Sequence, residues 1–300
     1  MKRKILIIGG TGFLGSHLIR EFLPDCEVFT TLRASSNTFR IKDILDSVKL
    51  IRLDEQSISL AVEQNQFDVI INAAVQYQQK EGAALADLIE ANILLPIKAL
   101  EAGARSGCHC FINSDSFFSR IPDPYPYLVE YRLSKKQLFS WLELYASRMY
   151  IANMQIEHMY GPSDSQQKFL PMMAKRIASN TPTIELTPGL QSRDFIHVHD
   201  VARAFRYVAL QSKLPRFGLH TFQVGTGVAH SIKETLTLAA QTVGSSSALE
   251  FGKLEYRENE CMESIADIGP LNNLGWSATI PWEHGIKRIV LNYKNEATDD

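Results

Sequence analysis

Three observations predict an α/β fold, a doubly wound parallel sheet with a smaller interleaved α/β lobe. The chain opens on a continuous aliphatic run, Lys4 to Ile8, that enters a glycine cluster and continues as an amphipathic segment from Phe13 to Phe22. Such a run marks a strand buried on both faces, as in a parallel sheet. Short apolar runs then alternate with segments of helical period as far as Asn113, the pattern of right-handed strand–helix–strand crossovers. Finally, 300 residues with 45% hydrophobic and 21% charged side chains have ordinary globular composition and suit one large domain with an added lobe.

Each glycine of the opening cluster has a physical task. Gly9 lets the chain turn, Gly12 lets the backbone approach a pyrophosphate, and Gly15 lets the helix pack close to the strand. The helix that follows offers unpaired N–H groups and the positive end of its dipole to a diphosphate. An ordinary glycine-rich turn lacks this context of a strand before and a helix after. The pattern therefore predicts dinucleotide binding by a Rossmann fold.

The remaining elements follow in order. Glu27–Leu32 is a second strand, reached after the helix breaks at Pro24-Asp25, and the stretch from Asp43 to Lys49 leads to a third, Leu50–Leu53. Ser57 to Gln66 has helical period with Ile58, Ala61 and Val62 on one face. Phe67–Asn72 is a fourth strand closing on Ala73-Ala74, and a long helix runs from about Ala83 to Arg105. Cys110–Asn113 is a fifth strand, ending in Ser114-Asp115-Ser116, and Tyr131 begins a helix that continues through Trp141 and Tyr145. Beyond Pro162 the character changes. Lys168–Asn180 reads as a helix with Phe169, Leu170, Met173 and Ile177 inward, Thr183–Leu186 as a short strand, and Val201–Leu210 as an amphipathic helix returning to the main sheet. The expected organisation is a nucleotide domain over 1–160, rejoined by 194–224, and a substrate lobe from 161–193 and 225–300.

Charge and cysteine content exclude several classes. A net charge of −2 gives no field that favours nucleic acid or an anionic membrane. The apolar runs are far shorter than the roughly 20 residues of a membrane span. The basic Met-Lys-Arg-Lys start lacks a signal peptide's long apolar stretch and small-residue cleavage site. The four cysteines are few and irregularly spaced, which points to a reducing cytoplasm without disulfides. Cys108-His109-Cys110 reads as strand side chains alternating in and out. A closed metal site needs about four ligands, so no metal is expected.

The choice of cofactor falls to the end of the second strand. An acidic side chain there would accept from an adenosine ribose and repel a 2′-phosphate. From Val28 to Arg40 there is no Asp or Glu, while Arg33 and Arg40 flank Ser35, Ser36 and Asn37. Guanidinium and hydroxyl groups suit a phosphate, so NADP(H) is expected in preference to NAD(H).

Tyr131-Arg-Leu-Ser-Lys135 places a phenol and an ammonium on one helix face. The ammonium favours the phenolate and lowers a tyrosine pKa from about 10. The phenol can then exchange a proton with a sugar hydroxyl or carbonyl near neutral pH. A serine hydroxyl at the end of the fifth strand would bond the same oxygen.

These motifs, GGTGFLG, YRLSK and Ser114-Asp115-Ser116, with Tyr160-Gly161-Pro162 and the Arg193–Asp200 stretch RDFIHVHD, resemble those of extended short-chain dehydrogenase/reductases acting on nucleotide-activated sugars. More narrowly, NSDSFF, IEHMYGPSD and the Arg257–Glu260 stretch are similar to CDP-abequose synthase-like 4-ketoreductases of surface polysaccharide biosynthesis. The resemblance implies that Tyr131 is the acid/base and that Lys135 holds the nicotinamide ribose. It implies cofactor contacts at Phe13, Leu14, Ala73, Ala74 and Asn92, and Arg193 and Arg257 against the substrate diphosphate. His158 stands where the family often has Asn, either as a variant donor or as a packed histidine. The catalytic hydroxyl falls on Ser116 when counted from Asn92 and Phe111, and on Ser114 when matched to the family's STDSVF pattern; Ser114 is preferred. A homodimer through the Ala83–Arg105 and Tyr131–Ser147 helices is also implied.

One scaffold serves several reactions. A 4,6-dehydratase of this family carries Asp-Glu after its catalytic Thr, and here Asp115 is followed by Ser116. A 4-epimerase recycles NAD, usually on an acidic ribose clamp that this chain lacks. A non-catalytic NADP sensor would not need the Tyr131/Lys135 pair. The expectation is NADPH-dependent reduction of the 4-keto group of a CDP-linked 3,6-dideoxyhexose.

Overall fold

The structure, a computed structural model, describes residues 2–76, 85–211 and 215–298. The chain divides into two units. The first comprises Met1–Arg120, Tyr127–Gln155 and Ala202–Phe222; the second comprises Ile121–Pro126, Ile156–Val201 and Gln223–Asp300. The second unit thus includes 121–126, 156–160, 194–201 and 223–224, which the sequence reading gave to the nucleotide domain.

In the first unit, chain order is β1 (Lys4–Ile8), α1 (Phe13–Phe22), β2 (Glu27–Leu32), β3 (Lys49–Arg52), α2 (Ile58–Asn65) and β4 (Val69–Asn72). Then come α3 (Leu85–Ile89), α4 (Leu95–Arg105), β5 (Cys110–Ser116), α5 (Val129–Tyr145) and β6 (Tyr150–Ile156). The sheet order is β11-β6-β5-β4-β1-β2-β3, with β11 covering Gly218–Val224. The pairs β1 with β2, β1 with β4, β2 with β3 and β4 with β5 are parallel, in register Ile5↔Val28 and Asn72↔Asn113 at the site end. Leu6, Ile8, Ile70 and Phe111 anchor the core with Ala99, Leu100 and Leu138 from the helices.

Two sheet strands, β6 and β11, go beyond the five legible in the sequence. Their polar residues explain this. Asn153 and Gln155 interrupt β6, and His220, Thr221 and Gln223 interrupt β11, so neither has a continuous apolar run. Cys108 and Cys110 are buried and His109 is exposed, the alternation expected of strand side chains. All four thiols are free.

The long helix before β5 is continuous but not uniform, and its expected start at Ala83 lies outside the described residues. A π-helical turn, Glu90–Leu94, joins α3 to α4, with Pro96 in the first turn of α4. Proline has no N–H for the carbonyl four residues back, and its ring crowds that carbonyl. The wider turn accommodates this.

The second unit contains β7 (His158–Tyr160), α6 (Phe169–Ala178), β8 (Thr183–Leu186), β9 (Ser192–Arg193), β10 (Phe195–His197) and the start of α7 (Val198–Leu210). It continues through β12 (His230–Ser231), α8 (Ile232–Val243), β13 (Ala248–Phe251), β14 (Glu263–Ser264), α9 (Gly269–Leu274) and α10 (Trp282–Thr298). Its core joins Leu170, Met173 and Ile177 of α6 to Leu236 of α8 and Ile286 of α10. Phe169, expected inward, is 42% exposed, because it is the first residue of α6 and precedes the apolar face. No helix among the described residues is long and apolar enough to cross a membrane.

Candidate active site

The glycine loop is built against β2 and the end of β4. Gly9 has φ +83°, and a Cβ there would lie 2.7 Å from the Ala74 backbone. Both the turn and the close approach therefore require glycine. Ala73 continues the ladder, its N–H bonded to Ile8 O at 2.9 Å, so the two alanines end β4 against the loop. Thr30 and Thr31 of β2 hold the loop from the other side. The Gly10 N–H donates to Thr30 Oγ1 at 3.1 Å, and the Gly9 N–H to Thr31 Oγ1 at 3.2 Å. The sequence reading passed over these threonines, although a polar pair inside an apolar strand was a usable signal.

Gly12 is the N-cap of α1, and no side chain caps the helix. A Cβ on Gly12 would meet only Gly9 O, at 3.2 Å. The N–H groups and dipole of this helix end suit a pyrophosphate. Phe13 and Leu14 form the first turn, Leu14 buried and Phe13 edge-on to His17 at 5.4 Å.

Arg33 is exposed in a turn closed by Ser36 N–H to Arg33 O at 2.9 Å and by Arg33 N–H to Ser36 Oγ at 2.9 Å. Arg40 comes from the 3-10 helix Phe39–Ser47. Its guanidinium lies 4.4 Å from the Phe39 ring centroid and reaches Thr11 O of the glycine loop at 3.5 Å. The glycine loop thus has the Arg40 guanidinium beside it, and its backbone donors suit a dinucleotide.

Tyr131 sits in the first turn of α5 and is buried, with its ring edge-on to Phe118 at 6.3 Å. Lys135 is one turn on, fully buried, with Nζ 5.7 Å from the Tyr131 ring centroid and donating to Ser114 O at 2.6 Å. Burial pushes the Lys135 pKa down, and the Asp115 carboxylate pushes it back up.

The fifth strand runs through Ser116, so Ser114 and Ser116 share one face and Asp115 takes the other. Ser116 Oγ accepts from the Phe118 N–H at 3.3 Å. Ser114 Oγ makes no hydrogen bond among the described residues. The Asn92 amide is committed within the protein. Oδ1 accepts from Gln76 N–H at 2.7 Å, and Nδ2 donates to Gln76 O and Ser134 Oγ, each at 3.0 Å. It ties the π turn to α5 and to the strand-end loop.

In the second unit, Arg193 is buried and paired with Glu260, with Nη2 to Oε1 at 2.7 Å. Arg257 is exposed in the turn that ends at Glu260, where Glu260 N–H meets Arg257 O at 3.1 Å. Tyr125 faces the same charges. Burial raises its pKa, Glu260 adds to this, and Arg257 and Arg193 oppose it. Sequence reasoning missed both Tyr125 and Glu260.

His158 is edge-on to Phe195 at 5.9 Å, with Nδ1 3.7 Å from Glu157 Oε2. Burial lowers the His158 pKa, with Glu157 pulling it back up. Glu157 in turn accepts from Ser264 Oγ at 2.6 Å. Asp194 organises the neighbouring loops, accepting from Thr226 and Gly227 N–H groups at 2.8 and 2.9 Å. Among the described residues, no group of three or more His, Cys, Asp or Glu is placed to hold a metal.

The sequence profile of the NAD dependent epimerase/dehydratase family matches residues 5–225. The chain belongs to the NAD dependent epimerase/dehydratase family. Within it, the chain is 30% identical over 298 residues to the CDP-abequose synthase of Salmonella typhimurium, covering 97% of this chain and 98% of that one. Among solved structures it resembles the UDP-N-acetylglucosamine 4-epimerase of Methanobrevibacter ruminantium in complex with UDP-N-acetylmuramic acid, at TM-score 0.82 and 19% identity over 99% and 100% of the two chains. It also resembles the UDP-glucuronic acid 4-epimerase of Bacillus cereus in complex with UDP-glucuronic acid and NAD, at TM-score 0.81 and 20% identity over 98% and 99%. The family match and the identity to the CDP-abequose synthase support an extended short-chain dehydrogenase/reductase acting on nucleotide sugars, and the structural likenesses support its Rossmann fold.

Proposed function

We propose that the chain is an NADPH-dependent 4-ketoreductase of a nucleotide-activated deoxyhexose, with a CDP-linked 4-keto-3,6-dideoxyhexose as substrate. One observation carries this choice among the family's reactions. The Asp115 carboxylate, at the position a dehydratase uses for proton transfer, is fully buried and accepts from Asn153, Gln155, Ser119 and its own strand's Ser116 N–H. A carboxylate with its acceptor sites so filled is not available to a substrate. The remaining set, a phenol, an ammonium and a serine hydroxyl, suffices for reduction of a ketone. The 30% identical CDP-abequose synthase supports the same reading.

A nicotinamide cofactor held by the glycine loop and Lys135 would supply the hydride for carbon 4. Tyr131 gives its phenolic proton to the carbonyl oxygen as that oxygen gains charge. Ser114 donates a hydrogen bond to the same oxygen, and its Oγ is uncommitted among the described residues. Lys135 favours the phenolate left on Tyr131 and is held in place by Ser114 O. Arg193 and Arg257 serve the substrate diphosphate, with His158 a further polar contact. Glu260 keeps the Arg193 guanidinium ordered.

The preference for NADPH rests on Arg33, Arg40 and the absence of an acid between Val28 and Arg40. The Bacillus cereus neighbour carries NAD, and this segment is where we place the difference. We further propose a cytoplasmic homodimer. Leu133, Trp141 and Leu144 of α5, with Leu85, Ile89 and Leu94 around the π turn, expose large apolar side chains, and on α5 they share one helix face.

The test is nicotinamide oxidation, followed by absorbance, with NADPH and a panel of 4-keto-6-deoxy and 4-keto-3,6-dideoxy sugars on CDP, dTDP, UDP and GDP. Turnover is expected on the CDP-linked dideoxy sugar. NADPH binding with no turnover on any keto sugar would refute the reductase reading.

A further inference from the structure

Strand β2 is apolar at Val28, Phe29 and Leu32 but carries two adjacent hydroxyls, Thr30 and Thr31. These are 0% and 5% exposed. Neighbouring residues on a strand point to opposite faces of the sheet. The two hydroxyls nevertheless meet consecutive amides of the glycine loop, Thr31 the Gly9 N–H at 3.2 Å and Thr30 the Gly10 N–H at 3.1 Å. The loop is therefore gripped from both sides where it leaves β1.

The Thr30 hydroxyl makes a second bond. Its Oγ1 lies 2.8 Å from Ile7 O, the carbonyl of the β1 residue paired with Thr30. A carbonyl only accepts, so the hydroxyl proton goes to Ile7 O and a lone pair is left for the Gly10 N–H. One side chain thus ties β1 to the loop that follows it. Gly10 is buried and fits closely around that bond. A Cβ there would lie 2.1 Å from Thr30 Oγ1 and 2.7 Å from Ile19 Cδ1 of α1. The Gly12 N–H closes the loop on Gly9 O at 3.0 Å. The amides of Gly9, Gly10 and Gly12 are all satisfied inside the protein.

A valine has nearly the same shape as threonine and is the more usual residue at a fully buried strand position. It could not orient the Gly10 amide. A buried N–H left unpaired is costly, and the loop would relieve that cost by turning the amide toward water.

We infer that Thr30, seconded by Thr31, is a positioning residue for the cofactor, whose hydroxyl sets the glycine loop in its binding shape before any nucleotide arrives. The inference rests on the dinucleotide reading of that loop. A loop already in its binding shape takes up its ligand without a further ordering cost. It faces the part that NADPH and NADH share, so Thr30 governs both affinities alike, in contrast to the 2′-phosphate contact proposed for Arg33.

The test combines amide exchange in the nucleotide-free protein, followed by NMR, with fluorescence titration of both nucleotides. In the wild-type protein the Gly10 amide should exchange slowly with no nucleotide present; exchange at the rate of an open amide overturns the inference. In Thr30→Val this protection should be lost, and NADPH and NADH should weaken by the same factor, about tenfold or more. Thr30→Ser, which restores the hydroxyl, should return both affinities to near wild type. That rescue separates the hydroxyl from the packing of the side chain. Unchanged affinities in a folded Thr30→Val, weakening confined to NADPH, or a serine variant no better than valine would each overturn the inference. If Thr30→Val does not fold, the wild-type Gly10 exchange and the serine variant decide, and a loss of affinity in Thr30→Ser as large as about tenfold overturns it. A wild-type protein that binds neither nucleotide refutes the dinucleotide reading and this inference with it, whereas the variant outcomes refute the inference alone.

Discussion

In the proposed mechanism Tyr131 carries the proton transfer. It is buried in the first turn of α5 with Lys135 one turn on, so its phenol has a fixed place and a fixed charge beside it. Removing the hydroxyl removes the proton donor and little packing. Tyr131→Phe should lower kcat by about 10²-fold or more, and leave NADPH affinity, read by fluorescence titration, near the wild-type value. Retained turnover or lost binding would contradict the role. At the other end of the cofactor, Arg33→Ala should weaken NADPH by about tenfold or more, as expected for a lost charge-assisted bond, and NADH hardly at all. Equal weakening of both would remove the 2′-phosphate contact. Arg33, Arg40, Tyr131, Lys135 and the glycines were legible because each belongs to a local pattern of spacing and charge. Asp115 was legible only as a missing dehydratase pair. Its burial depends on β5 running to Ser116 and on partners from β6, a strand that the sequence did not disclose.

At the scale of elements, helix α1 and the loop before it form one packed unit. Gly15 makes the tightest backbone approach: a Cβ there would lie 2.2 Å from Gly9 O and 2.7 Å from Gly10 Cα. Both are backbone atoms that no rotamer change can move. Gly15→Ala should therefore destabilise the protein by about 1–3 kcal/mol, seen as a lower urea midpoint, with weaker cofactor binding. An unchanged midpoint would mean that the loop is looser than this contact requires. The closeness of α1 was readable from the glycine spacing. The two threonines that hold the loop, and the π turn ahead of Pro96, were not. Both depend on which backbone groups meet in space, and periodicity carries no information about that. In the same way, Phe169 has the right period for an inward face but lies at the first residue of α6, where it remains 42% exposed.

Across the whole molecule, two units each have their own core. Five strands of the first were legible because they are apolar runs separated by helical period. The second is built from strands of two to four residues, such as Ser192–Arg193 and His158–Tyr160, too short to show any period. What was read there were the helix at Lys168–Asn180, the strand Thr183–Leu186 and the charged side chains Arg193 and Arg257. Their acid partner Glu260 and neighbour Tyr125 required the structure. The central claim, that the fold consumes one NADPH per sugar and does not recycle a held cofactor, has one direct measurement. The protein would be given CDP-4-keto-3,6-dideoxyglucose with NADPH deuterated at the transferring position of the nicotinamide, and the product analysed by mass spectrometry and NMR. The account predicts one deuterium at carbon 4 of the product and one NADPH oxidised per sugar reduced. A keto sugar left unreduced, with no NADPH oxidised and no label in the sugar, would contradict it.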